Sequence, residues 1–319
     1  MTKISIIPFL KSGRRPDAHG PAEFLRLFKK HKSAIYRNLD SFGMNFAQLS
    51  FPLLYARCCA GFYAEERPEF LLVTNNKRHF VLPLTDDRQT LMKAVLELIG
   101  RGGKLTDFLA VPSMPHRPNR YPEYICKTEF LATLPGPRVK SYRNNVRRLS
   151  ARGIVVEEGL EQADDLLALN RQWYADFEYR KGFKAERFQE SEAIISLASL
   201  HPDDKDLVRV FRATIPVCER ASEAPRRVRK LCGFLITCRL SESYWAGVLS
   251  RTLFEYSGLG HYLFQEAARV YLQEGVLMEN DGAAGSDPAL SATKQRLASD
   301  MINSYRLRGR WLARYRGLN

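Results

Sequence analysis

The stretch at 251–294 constrains the fold of this chain more than any other. Gly258 and Gly260 form a turn, and apolar residues then recur at four-residue spacing, which predicts one buried face of a helix. The residues of that face are Leu259, Leu263, Ala267 and Tyr271. Gly275 predicts the end of the helix, and 276–278 predicts a short buried strand. A glycine turn, a helix and a core strand therefore follow one another directly, as in an α/β unit.

The same stretch predicts where polar chemistry lies. The strand leads into Glu279-Asn280-Asp281-Gly282, which predicts a polar loop, and Lys294 follows. A glycine turn that opens a helix exposes backbone N–H groups, and these favour an anion. Because α/β proteins usually bind ligands at the carboxyl ends of strands, we expect the functional site at this loop.

Composition limits the class of protein. The chain has 319 residues, 45% of them hydrophobic, which is enough for one large domain or two medium ones. The sequence contains no run of about 18 apolar residues to span a membrane, and its first residues lack a signal-peptide pattern. A cytoplasmic protein is expected. The net charge of +14 indicates a polyanion, such as nucleic acid or an anionic membrane surface, if the cations are clustered.

The cysteines and histidines indicate neither disulfides nor a metal site. No CxxC pair is present, so reduced, buried thiols are predicted. The six cysteines are Cys58, Cys59, Cys126, Cys218, Cys232 and Cys238. The six histidines show no HExxH or other metal-binding spacing, and we predict no bound metal.

The segment 137–153 predicts the most basic helix of the chain. Its cations, which fall within about four turns, are Arg138, Lys140, Arg143, Arg147, Arg148 and Arg152. Arg143 and Arg147 share one face because they are four residues apart. A solvated face is the usual role of such a run. No anion lies within it, however, and this favours an anion-binding role.

Two further segments are basic. The segment 215–230 predicts a long basic loop that is able to touch a large partner. The segment 305–319 interleaves arginines with Tyr305, Trp311 and Tyr315, a pattern that suits phosphate contact and base stacking. A final strand and helix with a wet basic face explains it equally well.

Hydrophobic periodicity predicts the other elements in two successions of similar order. In the first half we predict helices at 21–36 and 88–99, a hairpin at 69–84, a strand at 105–111 and extended chain at 124–134. In the second half we predict helices at 138–152, 162–177 and 187–200, and strands at 154–157, 207–213, 231–239 and 244–249. Helix-covered antiparallel strands joined to the 251–282 unit match the layout of the GCN5-related N-acetyltransferase (GNAT) fold.

The predicted fold class is therefore α/β (α+β), a tandem GNAT-like acyltransferase fold with two mixed sheets flanked by helices. The predicted division is an N-terminal half at 1–135 and a C-terminal half at 136–319. The second half is expected to carry the active site and the basic tail.

Two groups of residues resemble one known family. The first group is Tyr121, Glu123, Tyr124 and Ile125, then 131–136, then Lys140, Tyr142, Arg143 and Asn144. The second group is Glu255, Gly258 and Tyr262, then 280–282 and the run from Leu290 to Lys294. With these residues the chain resembles the phosphatidylglycerol lysyltransferase C-terminal-type family, a tandem-GNAT relative of the FemABX peptidyltransferases, over roughly 34–308.

The resemblance implies that an amino acid passes from an aminoacyl-tRNA to an acceptor. That acceptor is a lipid head group in the membrane-bound enzymes and a peptidoglycan precursor amine in the Fem group. This sequence departs from the membrane-bound enzymes because it contains no flippase segment, so the acceptor stays open between a lipid head group, a peptide and a small metabolite.

The glycine turn departs from the coenzyme A signature of GNAT enzymes, Gln/Arg-x-x-Gly-x-Gly/Ala. The corresponding frame runs from Glu255 to Gly260 and begins with a carboxylate, which opposes a pyrophosphate. We therefore expect no cofactor, with aminoacyl-tRNA as co-substrate, and keep acetyl-CoA as an alternative. A helix-start turn without a ligand explains Gly258 and Gly260 equally well.

The predicted catalytic residues are Asp281, Asn280 and Lys294. Asp281 orients or deprotonates the acceptor, or only caps its loop, and no covalent intermediate is expected. Asn280 donates to a substrate carbonyl or only makes an Asx turn. The resemblance implies that Lys294 holds the oxyanion or a terminal tRNA phosphate, although most lysines are only solvated.

The predicted substrate-binding residues are Arg143, Arg147, Tyr142, Glu255, Gly258, Gly260 and Tyr262. Arg143 and Arg147 are expected to hold tRNA phosphates, and Tyr142 stacks or only packs. The first hypothesis is an aminoacyl-tRNA-dependent aminoacyltransferase, with possible peripheral contact to an anionic membrane. The alternatives are an acyl-CoA-dependent N-acyltransferase and a non-catalytic tRNA- or anionic-surface-binding protein.

Overall fold

Two mixed β-sheets flanked by helices form the structure, a computed structural model that describes residues 19–100, 104–109, 116–160, 162–182, 188–201, 203–220, 225–285 and 287–308. Within these ranges the helices are α1 (His19–Phe42), α2 (Phe51–Cys59), α3 (Arg88–Gly100), α4 (Thr128–Thr133), α5 (Lys140–Ala151), α6 (Ala163–Lys181), α7 (Phe188–Leu200), α8 (Leu259–Gln273) and α9 (Pro288–Leu297). The strands are β1 (Tyr63–Glu66), β2 (Phe70–Thr74), β3 (Arg78–Pro83), β4 (Lys104–Phe108), β5 (Arg117–Pro118), β6 (Glu123–Lys127), β7 (Val155–Glu158), β8 (Arg209–Arg220), β9 (Pro225–Arg239), β10 (Tyr244–Thr252), β11 (Met278–Ala283), β12 (Asp300–Ile302) and β13 (Tyr305–Arg308). Two 3₁₀ turns, Ala47–Leu49 and Pro137–Val139, complete the described elements.

The first sheet has the strand order β1-β2-β3-β4-β13-β5. The predicted hairpin is confirmed as β2 and β3, and the Asn75 side chain closes its turn by accepting from the backbone N–H groups of Lys77 and Arg78. β3 and β4 are parallel and are connected by α3, which makes a β–α–β unit. Asp87 precedes α3, and its carboxylate accepts from the backbone N–H groups of the first turn.

The second sheet has the order β12-β6-β11-β10-β9-β8-β7. β10 and β11 are parallel and are connected by α8, which makes the second β–α–β unit. The apolar face predicted for this helix is confirmed, because Leu259, Leu263, Ala267 and Tyr271 are all buried against the sheet. Gly275, with φ +78°, follows the end of the helix as predicted.

One strand of each sheet comes from the other half of the sequence. β6 precedes residue 135 but pairs with β11 and β12 in the second sheet. β13 lies near the end of the described chain but pairs with β4 and β5 in the first sheet. The predicted division at 135/136 stays a prediction, and the two halves exchange strands across it.

The sequence prediction of extended chain at 124–134 is wrong after residue 127. Residues 128–133 form α4, and Leu131 and Ala132 are buried in the core of the second half. The Gln265 side chain of α8 donates to the Ala132 carbonyl at 2.9 Å. A helix this short is marginal on its own, so its packing against α8 decides its conformation.

The basic loop predicted at 215–230 is also wrong for the part that the structure describes. β8 extends to Arg220 and β9 starts at Pro225, and the two strands pair antiparallel along this whole extension. Strand pairing is made by backbone groups, so the many charged residues that indicated a loop do not prevent it. Residues 221–224 lie outside the described residues, as does the predicted basic tail after Arg308.

The cysteines Cys58, Cys59, Cys126, Cys232 and Cys238 are free, as predicted, and four of them are buried. The side chain of Cys218 lies outside the described part of the chain. Within the described ranges, every helix is too short or too polar to span a bilayer.

Candidate active site

The parallel strands β10 and β11 separate at their carboxyl ends. They pair only over Tyr244–Ala246 and Met278–Asn280, although β10 continues to Thr252 and β11 to Ala283. A register shift between Gly247 and Leu249 marks a bulge in β10 at the point of separation. The region beyond this point of separation, called the β10–β11 cleft below, lies where parallel-strand proteins bind ligands.

The predicted polar residues lie on β11 itself rather than in a loop after it. β11 spans Met278–Ala283, so the strand predicted at 276–278 is displaced along the sequence. Because side chains alternate along a strand, Glu279 and Asp281 point to the same face of the sheet. The actual position of β11 therefore places the Glu279 carboxyl group next to that of Asp281, the predicted catalytic residue.

Asp281 and Lys294 form an ion pair at the cleft. Lys294 Nζ lies 3.1 Å from Asp281 Oδ1, and the exposed fractions of the two side chains are 10% and 18%. Lys294 also donates to the backbone carbonyls of Asp281 and Gly282. Burial raises the pKa of Asp281, and the Lys294 ammonium opposes that shift. The two residues predicted to act together are therefore placed together.

Glu279 is fully buried next to this pair. Burial, and then the charge of Asp281, raise the pKa of Glu279 well above its usual range, while the Lys294 charge opposes the shift. Neither carboxyl oxygen has a partner with normal hydrogen-bond geometry among the described residues, although the Cys126 thiol and the Gly247 backbone are polar groups close to the carboxyl. One cation thus faces two buried carboxyl groups, which favours retention of a proton on Glu279.

Asn280 is engaged within the protein, and its predicted donation to a substrate carbonyl stays a prediction. Its amide group donates to the Asn45 carbonyl at 2.6 Å and to Glu123 Oε2 at 2.7 Å. Its Oδ1 accepts from the Gly282 N–H at 2.7 Å, which is the alternative Asx turn. Because both amide hydrogens are used and the side chain is fully buried, Asn280 ties β11 to β6 and to the segment that follows α1.

The glycine turn lies against the basic helix α5. Gly258 has φ +88°, and a Cβ at this position would lie 2.7 Å from the Asn145 Cβ. Arg148 donates to the Ser257 carbonyl at 3.2 Å, which ties α5 to the same turn. α8 begins without a side-chain cap at Gly258. Gly260 has open space around it, so close contact does not explain that glycine.

Basic residues connect this turn to the ion pair. At one end of the basic segment, Arg138 donates to the Gln295 carbonyl of α9, next to Lys294. At the other end, the Arg152 guanidinium lies 5.3 Å from the centre of the Tyr256 ring. The α5 arginine surface is defined as the exposed Arg138, Arg147, Arg148 and Arg152. Among the described residues none of these arginines forms an ion pair with a carboxylate, so their charge is not neutralised within this part of the molecule.

Other predicted binding residues have structural contacts. Arg143 donates to the carbonyls of Leu134 and Gly136 and so holds the turn after α4; this engagement weighs against its predicted phosphate contact. The Tyr262 backbone N–H makes an early hydrogen bond of α8, and its ring packs on the core of the second half.

Tyr142 and Glu255 have different surroundings. Tyr142 is 7% exposed and stacks on the His261 imidazole with ring centres 4.1 Å apart. Glu255 is exposed and borders a cavity of about 80 Å³, whose other lining residues are Gln172, Asp176, Arg180, Leu253 and Phe254. Its carboxylate is therefore near the start of α8, the position predicted to oppose a pyrophosphate.

The sequence interpretation missed Glu279, His261 and Gln265. Glu279 lies two residues before Asp281, and the two-residue strand period would have indicated it if β11 had been predicted in the right place. His261 and Gln265 have no distinctive sequence pattern, and only burial and packing distinguish them.

Fold and cleft together define a GNAT-like acyltransferase architecture, in which each mixed sheet contains one parallel β–α–β unit. The sequence profile described as "Phosphatidylglycerol lysyltransferase, C-terminal" matches residues 118–305, more than half of the chain. The chain belongs to this acyltransferase family. A comparison with curated proteins gives no match.

Solved structures of similar fold cover nearly the whole chain. A conserved protein of unknown function from Bacteroides thetaiotaomicron has a TM-score of 0.64 at 12% identity, covering 85% of this chain and 96% of that chain. L-PGS from Bacillus licheniformis has a TM-score of 0.58 at 13% identity, covering 94% of each chain. The C-terminal domain of a candidate lysylphosphatidylglycerol synthetase from Agrobacterium fabrum has a TM-score of 0.56 at 12% identity, covering 90% of this chain and 92% of that chain.

Proposed function

We propose that this protein is an aminoacyl-tRNA-dependent aminoacyltransferase that passes an amino acid to a hydroxyl or amine acceptor. The observation that carries the proposal is the α5 arginine surface, which connects the glycine turn at Gly258 to the helix of Lys294. Cations without carboxylate partners in the described structure suit a polyanion. Their position would bring the charged end of a tRNA to the β10–β11 cleft.

The proposed reaction needs no cofactor, because an aminoacyl ester is already activated. The acceptor oxygen or nitrogen forms a bond to the ester carbonyl carbon, and the bond from that carbon to the ribose oxygen breaks. The acceptor loses its proton and the ribose hydroxyl gains one. Positioning of the acceptor and stabilisation of the oxyanion are the two tasks left to the protein.

Asp281 and Lys294 suit these two tasks. The Lys294 charge opposes the effect of burial on Asp281 and favours its ionised form, which suits this residue to orient the acceptor. The Lys294 ammonium carries the positive charge that a developing oxyanion needs nearby.

A lipid head group is our first choice of acceptor because the family is named for phosphatidylglycerol lysyltransferase and L-PGS from Bacillus licheniformis shares the fold. The exposed arginines would also favour contact with an anionic membrane surface. Amines of peptides and of small metabolites stay in the acceptor screen described next.

The experiment combines tRNA binding with a transfer assay. Total tRNA charged with labelled amino acids is incubated with the protein and with phosphatidylglycerol vesicles, amine-containing peptides or small amines, and transfer of label to each acceptor is measured. In parallel, tRNA affinity is measured against salt, where each phosphate contact contributes roughly one log unit of affinity per log unit of salt.

Arg147→Ala is the informative binding variant, since Arg147 is exposed on α5. We expect weaker tRNA binding and a salt slope smaller by about one. Arg88→Ala on α3 is the matched control, an exposed helical arginine in the first half, and it should leave both quantities unchanged. Equal effects of the two substitutions would contradict an α5 tRNA surface.

Asp281→Asn separates an enzyme from a binding protein. Transfer should fall while tRNA affinity stays at the wild-type value. Binding of tRNA without transfer to any acceptor would favour the hypothesis of a non-catalytic binding protein. Stabilisation of the protein by coenzyme A in a thermal-shift assay, with no effect of tRNA, would favour the acyl-CoA-dependent alternative.

A further inference from the structure

Three buried polar atoms without hydrogen-bond partners belong to α5 and to the first two turns of α8. They are the Tyr142 hydroxyl, His261 Nδ1 and Gln265 Oε1, and none of them has a partner among the described residues. The Tyr142 and His261 rings stack nearly parallel, at an angle of 15°. Gln265 lies one helical turn after His261, so their side chains share a face of α8. This group is called the Tyr142 cluster below.

The Tyr142 cluster lies at the same edge of the sheet as the β10–β11 cleft. A helix that connects two parallel strands runs back along the sheet, so its first turn lies near the carboxyl ends of both strands. His261 is in that first turn of α8. Phe264 follows one turn later and lies against Gly247, the residue at which the strands separate and which also faces Glu279.

Hydrogen bonding determines what kind of ligand complements the cluster. The Gln265 amide nitrogen donates to the Ala132 carbonyl at 2.9 Å, and its unpartnered Oε1 is a hydrogen-bond acceptor. Burial lowers the pKa of His261, which favours a neutral imidazole with one accepting nitrogen. The Tyr142 hydroxyl both donates and accepts. A complementary ligand must therefore supply O–H or N–H donors.

We propose that Tyr142, His261 and Gln265 form the acceptor subsite of the transferase and bind the hydroxyl or amine group that receives the amino acid. This inference rests on the proposed function. In the transfer step, a His261 ring nitrogen takes the proton of the acceptor as its oxygen or nitrogen bonds to the ester carbonyl carbon. The bond to the ribose oxygen breaks, and the same proton passes from His261 to that oxygen, so the imidazole is regenerated.

Two tyrosine substitutions test the subsite. Tyr142→Phe removes a hydroxyl that has no partner in the described structure, so the Tm should stay at or above the wild-type value. Loss of one hydrogen bond to the acceptor should raise its KM about tenfold. Tyr271→Phe is the matched control, because the Tyr271 hydroxyl hydrogen-bonds Thr237 Oγ1 at 3.0 Å. That variant should lower the Tm and leave the KM for the acceptor unchanged.

His261→Phe keeps a ring that can stack on Tyr142 and removes both ring nitrogens. We expect it to retain the fold and to reduce kcat by about a hundredfold, the range of a lost proton acceptor. Neither Tyr142→Phe nor His261→Phe should change the affinity for tRNA, because both residues are proposed to bind the acceptor and not the aminoacyl-tRNA. Addition of the acceptor that the enzyme modifies should shift one histidine-ring NMR signal of the wild type. That signal should be absent from the spectrum of His261→Phe.

The outcomes separate this inference from the proposed function. Suppose that the wild type transfers an amino acid and that both Tyr142→Phe and His261→Phe have the wild-type KM and kcat. The proposed acceptor subsite would then be wrong, and the proposed transferase activity would be supported. If both variants lose transfer only because their Tm falls, the three atoms are structural, bound to water, and the subsite is again wrong. If the wild type transfers to no acceptor, the proposed function itself fails and the subsite fails with it.

Discussion

The molecule contains a β–α–β unit in each sheet, and the two units differ at corresponding points. In the first unit, β3–α3–β4, the helix is capped by the Asp87 carboxylate, and near the end of β4 Asp107 accepts hydrogen bonds from Asn119 and Ser304. In the second unit, β10–α8–β11, the helix starts at Gly258 without a side-chain cap, and near the end of β11 Asp281 faces Lys294.

This difference indicates which half carries chemistry. In the first unit, side chains of the protein satisfy both the start of the helix and the acidic residue. In the second unit one lysine faces two buried carboxyl groups, and polar atoms at the start of α8 have no partners among the described residues. Buried carboxyl groups with perturbed pKa values and buried polar atoms without partners are typical of sites that act on a ligand. Four predictions, from the largest expected effect to the smallest, test this contrast and the buried carboxyl group that bonds to β11.

Lys294→Met should cost about 4 kcal/mol in the free energy of unfolding at pH 7, because it leaves buried carboxyl groups without their cation. Lys32→Met is the matched control. Lys32 pairs with Asp206 at 2.7 Å, but both side chains are about a third exposed, and such pairs contribute about 1 kcal/mol or less. Urea denaturation measures both. Equal costs would show that the Asp281 pair is as hydrated as a surface pair.

Glu123→Gln should stabilise the protein at pH 8 by about 3 kcal/mol and have little effect at pH 4.5. Burial raises the pKa of Glu123 from 4.5 to about 7, so ionisation costs more in the folded than in the unfolded chain. The folded state binds more protons in this range, and wild-type stability therefore falls as the pH rises from 4.5 through 7. The variant keeps an oxygen to accept from the Ala47 and Asn280 N–H groups. A pH-independent difference between the two proteins would contradict the shifted pKa.

Gly258→Ala should cost about 2 kcal/mol more than Gly275→Ala. Both glycines have positive φ, so both substitutions introduce the same backbone strain. At Gly275 a Cβ has open space, whereas at Gly258 it collides with Asn145 of α5. Chemical denaturation of the two variants isolates the contact between α5 and the turn. Equal costs would mean that α5 does not press on the turn in solution.

Asp87→Ala should lower the Tm by about 2 °C through loss of the α3 cap, with no change in amino-acid transfer. Asp87→Asn, which preserves an accepting oxygen, is the control and should stay close to the wild type. A loss of transfer in Asp87→Ala at a temperature where it is fully folded would show that the first unit takes part in function.

Sequence periodicity was sufficient for the elements with strong local signals. The apolar stripe of α8 and the asparagine turn of the first hairpin predict their own structure, because their residues constrain the backbone locally. α4 could not be predicted in this way. Its packing on α8, including the Gln265 bond to Ala132, joins segments 133 residues apart in the chain.

The candidate site shows the same limit. Asp281 and Lys294 were predictable as chemistry-bearing residues at a strand end, and the structure places them 3.1 Å apart; their catalytic roles stay predictions. Arg143 looked like a free cation, but it holds backbone carbonyls near its own helix. His261 looked unremarkable, since a sequence does not show which buried atoms lack partners.

The strand exchange described above has a consequence for synthesis of the protein. Ser304 and Asp107 share a hydrogen bond although they are 197 residues apart in the chain, and separations of that size delay folding. The ribosome releases β4 long before β13, so the edge of the first sheet that β13 covers stays open until late in translation. The nascent chain is expected to need protection at that edge, and the first sheet is complete only when the residues at 305–308 have emerged.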